Sequence, residues 1–161
     1  MTTIDFHFNV PDQLGYACRL LRKAVASGAK LVVTGSDQSL AQLDLTLWTF
    51  SATDFVPHCD VSAQPGILDK SPVVLSASLQ SVPHHGILLN LGAEVPPGFE
   101  SFDRVIEVVS QADDDRQQAR LRWKQYTRLG CTLTRYDVGN KGPGLVVRDV
   151  PHIVTPEHRQ V

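Results

Sequence analysis

Apolar and polar positions change period along the chain, and the changes predict alternating strands and helices. Ile4 to Val10 (IDFHFNV) alternates at period two, which predicts a first strand. Pro11 follows where a helix can begin, because the N–H it lacks would be unpaired there anyway. Leu14, Ala17, Cys18, Leu21, Ala24 and Val25 then recur at helical spacing, and Gly28 is placed to stop that helix. Lys30 to Thr34 (KLVVT) is short, apolar and rich in β-branched residues, so it predicts a buried strand. Ser36 can cap the next helix, whose apolar positions are Leu40, Leu43 and Leu47. This opening is β-α-β-α, the pattern of a parallel sheet with helices on its faces.

The segment Leu47 to Cys59 is denser in aromatic residues than a connection should be, with Trp48, Phe50 and Phe55 close together and Pro57 ending any regular element. The rings either fold inward beneath a loop or lie exposed together as a patch that marks a partner site. Asp60 to Ser71 has the composition of a loop. Val73 to Ala77 and Gly86 to Leu91 predict two more buried strands, separated by a polar crossing with Pro83. Pro96, Pro97 and Gly98 make a break, and Phe102 to Val109 (FDRVIEVV) predicts another strand. Ser110 with Asp113 three residues on has the spacing of a capping box, and Asp113, Asp114 and Asp115 suit the positive end of a helix.

That helix leads into Arg116 to Gly130 (RQQARLRWKQYTRLG), where the pattern carries its most specific information. Helical spacing puts Arg116, Arg120, Lys124 and Thr127 on one side, with Trp123 at the edge. Ala119, Tyr126 and Leu129 fall on the adjoining core side. Arg122 interrupts that apolar arc; its stem is expected to bury while its head reaches water. Most basic helix faces are simply solvated. A large ring beside guanidinium groups is, however, the composition of a binding hot spot, suited to an acidic and partly apolar ligand. Cys131 to Asp137 (CTLTRYD) alternates as a last strand. Residues 138–161 hold three glycines and three prolines after Val138 and predict an irregular extension, mobile or docked as extended chain. The expected organisation is one α/β domain over residues 1–137, Rossmann-like with a mostly parallel sheet, followed by the extension 138–161.

Composition narrows the function. The chain has 161 residues and a net charge of -2, which argues against broad nucleic-acid binding through a basic surface. Cys18, Cys59 and Cys131 form no C-x-x-C pair and no disulfide framework, so reduced thiols and a cytoplasmic location are expected. The first residues lack the charged-then-apolar pattern of a signal peptide, and no apolar run approaches the roughly 20 residues a membrane helix needs.

The candidate chemistry is sparse. The turns after the first two strands read VPDQLG and TGSDQS, so neither G-x-G-x-x-G nor a phosphate loop is present. A phosphate at the Ser36 helix start is the residual possibility. None of His7, His58, His84, His85, His152 and His158 lies in a zinc-ligand spacing, and His84–His85 reads as a surface pair. A nucleophile elbow of the form G-x-S-x-G is missing as well. No metal, cofactor or catalytic residue is therefore expected.

At Leu43 to His58 (LDLTLWTFSATDFVPH) and Arg116 to Gly130 the chain resembles the chi subunit family of bacterial DNA polymerase III, over roughly residues 1 to 137. The resemblance implies an α/β fold without a working nucleotide site and without catalytic activity. It implies two partners: the acidic C-terminal tail of the single-stranded-DNA-binding protein (SSB), and the psi subunit of the clamp loader. Carried over by position, the tail site comprises Val109, Arg116, Arg120, Trp123 and Lys124, with Arg116 where the family often has Lys and Trp123 where it often has Tyr. Arg120 or Lys124 takes the terminal carboxylate, and Trp123 with Val109 walls a pocket for the terminal ring. The psi-facing surface includes Trp48, Phe55 and Pro57. Nucleic acid is then contacted mainly indirectly. The alternative is an α/β enzyme or nucleotide-binding protein with an unrecognised site at the carboxyl edge of the sheet, using Asp37 with a phosphate.

Overall fold

The computed structural model describes residues 2–49 and 56–139. Phe50 and Phe55, together with residues 140–161 of the expected extension, lie outside the described residues. Within them the elements are β1 (Thr3–Val10), α1 (Gln13–Ala26), β2 (Leu31–Thr34), α2 (Asp37–Thr49), β3 (His58–Asp60), α3 (Pro65–Lys70), β4 (Val73–Leu75), β5 (Ile87–Asn90), a single 3-10 turn at Phe99–Ser101, β6 (Arg104–Ser110), α4 (Asp113–Arg128) and β7 (Thr132–Asp137). The seven described strands form one sheet in the order β3-β4-β2-β5-β6-β1-β7, and every neighbouring pair is parallel.

Strand alternation sorts the core into two layers. Leu31, Val33, Leu89, Ile106 and Val108 face α1 and α2, which contribute Leu20, Leu21, Leu40, Leu43 and Leu47. Ile4, Phe6, Val32, Leu88, Val105 and Val109 face the other way, onto Ala119 and Tyr126 of α4 and onto Leu79, Val82, Phe99 and Phe102. The connection from β4 to β5 carries no helix; Leu79 and Val82 supply its apolar cover instead. Helices α2 and α4 thus lie on opposite faces of the sheet.

Two helix ends are set by glycine. After α1, Gly28 has φ 91°, its N–H donates to Val25 O at 3.0 Å, and Ala29 N–H donates to Ala24 O at 3.0 Å. After α4, Gly130 has φ 82°, its N–H donates to Thr127 O at 3.0 Å, and Cys131 N–H donates to Tyr126 O at 3.2 Å. Both are the paired C-terminal bonds of a Schellman motif, which needs a left-handed residue at that place. Asp12 caps α1, accepting from Gly15 N at 3.2 Å, and Ser36 caps α2, accepting from Ser39 N at 3.1 Å.

Several expectations need correction. Asp60 to Ser71 is not all loop: Asp60 ends β3, and Pro65–Lys70 forms a helical turn and a half with Pro at its start, too short to show a period. The box at Ser110 closes through Asp115, not Asp113: Ser110 N–H donates to Asp115 Oδ2 at 2.8 Å. Leu129, placed on the core side by spacing, is 56% exposed because it caps α4 where the chain turns away. His84 is only partly exposed, with both ring nitrogens buried, so the His84–His85 pair is not simply a surface one.

Candidate functional site

Alternation along β1 turns Phe6 and Phe8 towards α4, and Val109 near the end of β6 faces the same way. Helix α4 crosses above them. Trp123 meets Phe6 edge to face, with ring centroids 5.1 Å apart, and Tyr126 packs on Phe6 at 6.0 Å. Beside this contact a groove of about 370 Å³ opens, lined by Phe6, Phe8, Trp123, Val109 and Ala119, and by Arg116, Arg120, Lys124 and Arg135. All five residues carried over from the family thus border one cavity, and Arg116, Arg120 and Lys124 stand in a row above an aromatic floor.

The cations are not equivalent. Arg116 lies 3.7 Å from Asp113, a pair exposed at both ends and therefore weak. Arg120, Lys124 and Arg135 have no carboxylate at ion-pair distance among the described residues. The Arg135 guanidinium lies 5.9 Å from the centre of the Phe8 ring. Three basic groups beside an apolar floor attract an anion that also offers a ring or methyl groups: charge sets the approach and burial of the apolar part adds affinity. The sequence pattern does not single out Phe6, Phe8 or Arg135. Period two does place Leu133 and Arg135 on one face of the last strand; what it lacks is that β1 lies beside β7.

Beneath the groove a buried polar cluster fixes α4. Glu107 on β6 is fully buried, and its Oε1 accepts from Arg122 Nε at 2.9 Å while Oε2 accepts from the Tyr126 hydroxyl at 2.6 Å. Asn90 Nδ2 donates to both carboxylate oxygens, at 3.1 and 3.0 Å. Arg122 Nη1 donates to Ala93 O at 2.9 Å. Arg122 is 2% exposed, so its head does not reach water as expected; a carboxylate waiting inside the sheet holds it. Burial pushes the Glu107 carboxyl up from its ordinary range, against the pull of Arg122 and the hydrogen bonds from Asn90 and Tyr126.

The second aromatic segment is partly described. Trp48 is 60% exposed on α2, near the equally exposed Leu45, and its ring meets that of His58 edge on at 5.5 Å. His58 is held at 2.9 Å from Asp44 and 2.7 Å from Val56 O. Pro57 is exposed just before β3. Phe55 lies outside the described residues.

A wider cleft of about 1020 Å³ opens at the carboxyl ends of β2, β4 and β5, where α/β sheets commonly hold nucleotides. Ser36, which caps α2, lines it, whereas Asp37 does not. Its described lining includes Glu94 and Glu100 and no Lys, Arg or His, so a phosphate there would meet negative charge without a basic partner. Among the described residues no group of three or more His, Cys, Asp or Glu side chains is placed to hold a metal ion. No described helix is long and apolar enough to cross a membrane.

Fold and groove together define an α/β protein of the parallel-sheet class with a cationic, aromatic-floored surface groove. The family profile of the DNA polymerase III chi subunit, HolC, matches residues 1–134, and the chain belongs to that family. It is 31% identical over 139 residues to DNA polymerase III subunit chi of Pseudomonas aeruginosa, covering 83% of this chain and 94% of that one. The subunit chi of Haemophilus influenzae is 30% identical over 125 residues, with 76% and 85% covered. That of Escherichia coli is 29% identical over 134 residues, with 82% and 88% covered.

Proposed function

We propose that this chain serves DNA replication as a non-catalytic chi subunit of DNA polymerase III, and that its α4 groove holds the acidic C-terminal tail of SSB. One observation carries the reading: Arg120 and Lys124, without acidic partners among the described residues, stand beside a floor of Phe6, Phe8, Val109 and Trp123. A terminal carboxylate on Arg120 can make two parallel charge-assisted bonds, and the last ring of the tail fills the apolar floor. Arg116, tied weakly to Asp113, contributes mainly to long-range attraction. The exposed Trp48, with Leu45 and Pro57, suits the psi subunit, through which the protein joins the clamp loader.

Calorimetry with an acidic, Phe-ended peptide tests the groove. Arg120→Ala should weaken binding by about 1.5–3 kcal/mol, the cost of losing a charge-assisted bond. Added salt should weaken it further, because the cations are exposed. Unchanged affinity, or equal capture of SSB with and without its last residues, discards the assignment.

A further inference from the structure

Helix α4 supplies the groove's cations from one side only. From Arg116 to Lys124 the helix advances eight residues, about 12 Å, enough to run beside three or four residues of extended chain. Side chains of an extended segment alternate in direction, so a ligand lying along α4 turns half of them towards the strands. On that side the register places Arg135 of β7 directly beside Phe6 of β1, and the Arg135 guanidinium reaches to 5.9 Å from the Phe8 ring. It lines the same cavity as Arg120 and Lys124 and has no carboxylate at ion-pair distance among the described residues.

We propose that Arg135 is a specificity-determining residue of the groove: it engages an acidic side chain of the bound segment that lies upstream of the terminal carboxylate. The inference rests on the peptide-tail reading and refines it. Arg120 and Lys124 recognise the end of the chain, whereas Arg135 reads the acidity of the residues before it. A ligand with a free carboxylate and a terminal ring but neutral upstream residues satisfies α4 and leaves Arg135 unused.

Two Phe-ended peptides of equal length, one with upstream aspartates and one with asparagines in their place, are titrated calorimetrically into the full-length protein and its variants. Arg135→Gln should weaken the aspartate peptide about two- to fivefold, the range of an exposed ion pair, and leave the asparagine peptide unchanged. Arg135→Lys should retain most of the affinity, because it keeps the charge. An equal effect on both peptides, or none, overturns the role of Arg135 while Arg120→Ala still weakens both. If Arg120→Ala affects neither peptide, the groove reading itself fails and the assignment of Arg135 falls with it.

Discussion

Arg122 is where a single residue departs furthest from what its neighbours in sequence imply. Helical spacing put it in the apolar arc of α4, and its length suggested a head in water. What could not be read is that Glu107, fifteen residues earlier in a strand, waits at the same depth with Tyr126 and Asn90 already bonded to it. The one clue was a charge at the centre of an apolar strand, DRVIEVV, which is ambiguous because it fits an edge strand as well as a buried pair. Removing one partner of such a pair leaves a bare charge indoors. Arg122→Ala should therefore cost about 3–5 kcal/mol of stability, measured by urea unfolding. Replacing Glu107 and Arg122 together with apolar residues of similar volume should recover most of the loss. Any weakening of peptide binding in the single variant then reports a displaced helix, since Arg122 does not line the groove.

Elements were legible in proportion to their length and punctuation. Helix α4 repeats its pattern over four turns and ends at Gly130, so both its cationic face and its stop could be read. Helix α3 and strands β3 and β4 are too short for any period: the pattern predicts neither α3 nor β3, and it carries β4 two residues too far, to Ala77. Gly130 also sets where β7 begins, and so where Arg135 stands relative to α4. In Gly130→Ala the new methyl meets no other atom within 4 Å, so the effect isolates the left-handed backbone. The expected cost is about 1–2 kcal/mol, read as a lower urea midpoint with an unchanged slope.

For the molecule as a whole, alternation of strands and helices disclosed the α/β class but not the strand order. The helical row of the candidate site was visible because its members lie three or four residues apart. Its floor and its fourth cation were not, because β1 meets β7 across a sequence separation as large as 128, as in the bond from Asn9 to Asp137. The same sheet that joins these distant segments also separates α4 from α2, which lie on opposite faces. Six inter-strand steps make its hydrogen-bonded width about 29 Å. Titration of the tail peptide with and without a ligand covering Trp48 should give affinities within about 0.5 kcal/mol of each other, as for sites with no shared contacts. Such a body works like a rivet. On the proposed function, either head would be set first without loosening the other, and the order in which the two proposed partners arrive would make no difference to the finished joint.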